Sequence, residues 1–188
     1  MVIDISKELF FILIILAFLC LLILKKQKTN TLKFWIHFTF IVYLICLIDV
    51  TQFPIRFYDS ETLKELKAGI GDYIVYYQLI PFHSIKNYFV SGVGTELQII
   101  GNVILLIPFV IYLDLMFHDK LSPLKEIGIT LICSFVIEML QFLFNSITGF
   151  PSRVVDIDDI ILNTFGGIIA VIVIVIIRKL FQKKTGHQ

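Results

Sequence analysis

Five long apolar runs, Leu9–Leu24, Phe34–Ile48, Leu97–Met116, Ile127–Phe144 and Ile160–Ile177, set the limits on what this chain can fold into. A helix crossing a bilayer needs about 20 mostly apolar residues. In hydrocarbon every backbone N–H and C=O must be satisfied within the protein, so segments of this kind cross as helices. With their flanks, the runs predict transmembrane helices at about 8–25, 33–50, 97–117, 126–146 and 159–178 in a single membrane domain covering 1–188. The expected fold class is therefore all-α, a polytopic membrane protein. Composition agrees, with 57% hydrophobic residues, 16% charged and a mean hydropathy of +0.90. A net charge of +1 gives no basis for a nucleic-acid partner.

The first run differs from a signal peptide because Lys25, Lys26 and Lys28 follow it and no small-x-small cleavage site is near. A retained helix is expected. Cys20, Cys46 and Cys133 each lie in an apolar run without CxxC spacing. They read as small apolar residues, not as a disulfide or zinc framework.

Lysine and arginine set the orientation. Lys25, Lys26, Lys28 and Lys33 lie between the first two runs, Lys120 and Lys125 between the third and fourth, and Arg178, Lys179, Lys183 and Lys184 after the fifth. With five spans all of these fall on one side, the cytoplasmic one. The N-terminus is then outside and the C-terminus inside. The outer surface carries a long connection, about 51–96, and a short one from about Asn145 to Asp159. In the long one, Thr62-x-x-Glu65 resembles a capping box before a short helix with Leu63, Leu66 and Ile70 on one face. Tyr73, Tyr76 and Tyr77 suit the headgroup level, and Thr95-x-x-Gln98 suits the start of the third span.

Within these runs the polar residues are the informative ones. Ser134, Glu138, Gln141 and Asn145 recur at helical spacing and form one stripe. A carboxylate near the bilayer centre costs roughly 2.5–3.5 kcal/mol on insertion scales, so Glu138 is expected to face protein or a wet cavity. The third run carries Gln98 and Asn102. The fifth opens with Asp156, Asp159 and Asn163 and continues to Gly166, Gly167 and Ala170. Interhelical hydrogen bonding is the simplest account of the stripe, and for Asn102 and Asn163 it explains the residue as well as a site does. Asp158 and Asp159 suit a helix start, and the small residues suit close helix packing. For Glu138 an amide would suffice for packing, so the charge favours a site. Arg153 is its candidate partner. The Asp156, Asp158 and Asp159 cluster is a weak metal candidate without EF-hand spacing. No cofactor is implied.

Taken in order, several pieces resemble the VanZ-like family of bacterial membrane proteins. They are Leu79-Ile80-Pro81-Phe82, Gly101-Asn102-Val103 with Pro108, Glu138-Met139-Leu140-Gln141, Arg153-x-x-Asp156-x-Asp158-Asp159 and Asn163-x-x-Gly166-Gly167. The resemblance covers about Pro81 to Gly167. One departure is that Phe109 follows Pro108 where members often place a glycine shortly after the proline. The resemblance implies a multi-pass protein of the bacterial cytoplasmic membrane, linked through the family's namesake to resistance against the lipoglycopeptide teicoplanin. It implies an outward pocket of Asn102, Glu138, Gln141, Arg153, Asp156, Asp159 and Asn163, with Pro81, Phe82, Pro108, Gly166 and Gly167 as structural positions.

Three functions compete. The leading one is a binding protein for a lipid or a lipophilic antibiotic at the outer leaflet. The alternative is a membrane enzyme acting on a lipid-linked cell-wall precursor or phospholipid, with Glu138 as acid or base and Arg153 on a phosphate. A transporter ranks third, because the polar positions concentrate in the outer half and no inverted repeat is visible.

Overall fold

The structure is a computed structural model that describes residues 1–24, 30–71, 75–91 and 96–185. Lys25, Lys26, Lys28, Tyr73 and Thr95 lie outside the described residues. Helices dominate, and the described β-structure is confined to two-residue segments. Among the described residues, four helical stretches are long and apolar enough to cross a membrane: Thr31–Gln52, Leu97–Phe117, Pro123–Thr148 and Ile157–Gln182. The protein is all-α and polytopic. Its fourth run shows why. Phe135, Val136, Met139, Leu140, Phe142 and Leu143 are exposed, while Ser134, Glu138, Gln141 and Asn145 are buried. Apolar outside and polar inside is the arrangement a lipid solvent selects.

The chain divides into two compact units, Met1–Gln78 with Ile137–Val155, and Leu79–Val136 with Asp156–Gln188. In the first, α1 (Lys7–Leu24) packs on α2 (Thr31–Gln52) through an aromatic cluster. The Phe18 ring lies 5.9 Å from Phe34, 6.3 Å from Trp35 and 5.4 Å from Phe38, centroid to centroid. Asn30 opens α2 by accepting from the Leu32 amide. A short antiparallel pair, β1 (Val2–Ile3) and β2 (Ile55–Arg56), follows the return of the chain after α2.

Helix α3 (Ser60–Ile70) is the short helix expected near Thr62, but its cap is different. Asp59 caps it, accepting from the amides of Glu61 and Thr62 and from the Thr62 hydroxyl at 2.6 Å. The carboxylate, on extended backbone one residue before the helix, takes free amides of the first turn and also the Thr62 hydroxyl that the expected Thr62–Glu65 box would have used. The Thr62 hydroxyl, with its amide, holds the Asp59 carboxyl below its ordinary range.

The second unit holds α4 (His83–Ser91), α5 (Glu96–Leu105), α6 (Ile107–Phe117), the start of α7 (Pro123–Thr148) and α8 (Ile157–Thr185). The third run was expected as one helix over 97–117, and it is broken at Leu106 into α5 and α6. Pro108 has no N–H for the carbonyl of Ile104 and its ring crowds that position. It therefore sits at the start of α6, with Leu106 as the residue before that helix. Both α5 and α6 pack on α8. Val110, Ala170 and Val171 are buried at the centre of that packing. A Cβ built on Gly166 would fall 1.7 Å from the carbonyl oxygen of Val103, and one on Gly167 would meet the Thr130 side chain at 2.7 Å. Only glycine lets the α8 backbone approach α5 this closely.

Candidate functional site: buried polar networks

In the first unit the C-terminal part of α7 is joined to the end of α2 by side-chain amides. Gln141 donates to the Thr51 carbonyl at 3.0 Å, and Gln52 donates to the Ile137 carbonyl at 3.4 Å and to the Thr51 hydroxyl at 3.2 Å. The amide oxygens of Gln52 and Gln141 are both buried and have no hydrogen-bond partner among the described residues. Glu138 follows Ile137 directly and is only 3% exposed. A turn further on, Asn145 uses both ends of its amide on the following loop. It donates to the Arg153 carbonyl at 2.6 Å and accepts from the Ser152 amide at 3.1 Å. The loop can turn back because Gly149 closes α7 at φ +68°, with its amide on the Asn145 carbonyl. Arg153 is exposed, and its guanidinium donates to the Phe53 carbonyl at 2.9 Å.

In the second unit Asp158 is the centre. Its carboxylate is 1% exposed and accepts from three main-chain amides: Phe82 at 2.5 Å, Ser84 at 2.9 Å and Ile85 at 3.1 Å. Asp158 lies in the first turn of α8 and supplies the acceptors that the first turn of α4 lacks. It also holds Phe82 in the left-handed region, φ +63°, which costs a non-glycine residue about 1–2 kcal/mol. Asp156 accepts from the Ser84 hydroxyl at 2.5 Å and from the Asp158 amide at 2.9 Å. Asn102 donates to Asp159, joining α5 to α8. Asn163 donates to the Ser134 hydroxyl at 2.9 Å, while its own amide oxygen is buried without a partner among the described residues. The three aspartates are thus drawn to different donors. Among the described residues no group of three or more His, Cys, Asp or Glu is placed to hold a metal ion.

Two sets of residues escaped the sequence analysis. Thr51 and Gln52 were expected in the long connection but end α2, and their place beyond the second run gave no sign that they would face α7. Asp114 is the one acid in the third run, which was a usable signal. It pairs with Arg178 at 2.6 Å and lies 3.5 Å from His118, with buried Glu126 in electrostatic reach. This cluster ties α6 to the end of α8.

A family model described as VanZ/LLP1 matches residues 40–178. The chain belongs to the VanZ/LLP1 family. No curated protein and no solved structure matches it. The VanZ/LLP1 match begins within α2 and ends at Arg178, so it takes in the amide cluster at Thr51 and Gln52, the Asp158 network and the Asp114–Arg178 pair. Helix α1 lies outside it.

Proposed function

We propose that this VanZ/LLP1 protein binds a lipid or lipophilic ligand at the extracytoplasmic face of a five-span bundle in the bacterial cytoplasmic membrane, and so alters susceptibility to lipoglycopeptides of the teicoplanin type. The orientation, N-terminus out and C-terminus in, rests on the lysine and arginine distribution. The polar element is the buried stripe of α7, with Glu138 and Gln141 toward the ligand and Asn145 and Arg153 shaping the adjoining loop. In the second unit, taken by itself, Asn163 and the Asn102–Asp159 pair are the polar groups we assign to ligand binding, with Asp156 and Asp158 holding the α4 end in place.

One observation carries this reading. Two amide oxygens, of Gln52 and Gln141, are buried without a donor among the described residues, and Gln141 shares a membrane-competent helix with Glu138, a carboxylate 3% exposed. Buried acceptors are normally paired, so this cluster is fitted to a ligand that brings N–H or O–H groups. Teicoplanin carries an acyl chain and vancomycin does not, so a protein acting at the leaflet discriminates between them. Glu138→Gln keeps shape and removes charge. In a susceptibility assay with both drugs it is expected to abolish the teicoplanin effect at unchanged accumulation and leave vancomycin untouched. A variant as effective as the native chain, or equal effects on both drugs, removes the reading.

A further inference from the structure

A cavity of about 280 Å³ in the first unit, lined by Lys67, Tyr76, Tyr77, Phe142, Asn145, Ser146 and Gly149, has most of its polar groups already engaged. Asn145 is spent on the 152–153 main chain, the Ser146 hydroxyl donates to the Phe142 carbonyl at 2.8 Å, and the Tyr76 hydroxyl to the Gly149 carbonyl at 3.3 Å. The Lys67 ammonium and the Tyr77 hydroxyl are left over. Lys67 lies in the last turn of α3, and among the described residues the salt bridges go to Asp114 and none to Lys67. The wall from α7 is apolar at Phe142, and α7 exposes Leu143 and Ile147 on either side of the Ser146 turn.

A cation and a phenol donor beside an aromatic wall, on a helix whose outer surface is hydrocarbon-like, match an amphiphile with an anionic head. The volume is near the lower end of ligand pockets, about 300 Å³, which fits a headgroup and not a whole lipid. We propose that the Lys67 cavity binds the phosphate headgroup of an anionic membrane phospholipid, with the acyl chains lying along Phe142 and the exposed face of α7. The proposal rests on the ligand-binding reading above in assuming that the end of α7 near Asn145 meets the outer leaflet, and it names the ligand chemistry.

The full chain in nanodiscs of mixed phosphatidylglycerol and phosphatidylcholine, with co-purified lipid quantified by mass spectrometry, tests it. The native protein is expected to retain phosphatidylglycerol over phosphatidylcholine. Lys67→Met should lower that preference about five-fold, the scale of one basic residue at a membrane surface. Tyr77→Phe should lower it less. Both side chains are exposed, so both variants should fold, and circular dichroism checks that. Equal retention of the two lipids, or an unchanged preference in Lys67→Met, overturns the proposal. So does displacement of the bound lipid by millimolar inorganic phosphate, which marks a soluble-phosphate site. Glu138→Gln separates the two readings. If it leaves drug susceptibility native-like while Lys67→Met loses its lipid, the binding function at Glu138 fails and the headgroup site stands. If Glu138→Gln abolishes the drug effect and the Lys67→Met preference is native-like, the headgroup site fails alone.

Discussion

Asp158 in the second unit and Glu138 in the first are both carboxylates no more than 3% exposed, yet their surroundings are built on opposite terms. Asp158 receives three main-chain amides and orients two helix starts, so its charge is consumed in holding backbone. On the Glu138 side the amides of Gln52 and Gln141 give their N–H groups to carbonyls and keep two oxygens without donors among the described residues. A saturated network over-determines geometry and has nothing to offer a ligand. An unsaturated one costs stability, since a buried polar group without a partner loses about 1–3 kcal/mol, and it persists where something other than folding uses it. The same residue class thus marks architecture in one unit and, in the function proposed above, a site in the other.

The sharpest way to break the comparison is through the packing that the second unit needs. Gly166→Ala forces a methyl onto the Val103 main chain, which cannot yield as a side chain can. Loss of folded protein in the membrane fraction is expected, a penalty above about 4 kcal/mol. Gly167→Ala meets only the Thr130 side chain, and Thr130→Ala should restore part of its accumulation.

Next in size is Asp158→Ala, which leaves the amides of Phe82, Ser84 and Ile85 without acceptors. A loss of about 3–5 kcal/mol, seen as a lower melting temperature in detergent, would confirm a structural carboxylate. Phe82→Gly in the same background should recover about 1 kcal/mol by relieving the left-handed residue. Arg178→Gln removes the cation from Asp114, with Glu126 nearby. Because Arg178 is about one-third exposed, the expected cost is only about 1–2 kcal/mol.

Gln141→Leu is the test on the other side. It deletes one unsatisfied oxygen and one hydrogen bond, so stability should change by less than about 1 kcal/mol while the drug-susceptibility effect is lost. A large stability loss would place Gln141 with Asp158 as architecture and erase the contrast.

Asp59 gives the smallest effect. Its folded pKa is depressed, so the cap is complete above the unfolded carboxylate value, about 3.9, and is lost as pH falls through the lower folded value. Hydrogen exchange in α3 should accelerate only at the acid end of a pH series, and Asp59→Asn should flatten that response.

Much of this was legible in the residues. The polar stripe of α7 followed from spacing alone, because a helix returns to one face at i+4 and i+7 whatever surrounds it. The break in the third run was implicit in Pro108, although the run's hydropathy argued for continuity. The roles of the aspartates were not legible. Asp156, Asp158 and Asp159 are near neighbours in sequence, and only the tertiary structure sends one to the α4 amides, one to Ser84 and one to Asn102. Thr51, Gln52 and the Phe53 carbonyl that takes Arg153 were hidden for the same reason.

What the sequence determined by itself was the class of the molecule. Apolar runs of bilayer length leave helices as the only spanning solution, and an acid in such a run must turn away from lipid. What the tertiary structure alone decided was which polar groups find partners. Hydrogen bonding depends on ångström-scale approach between residues as far apart as Phe82 and Asp158 or Thr51 and Gln141, and spacing along one helix carries no information about distances to another.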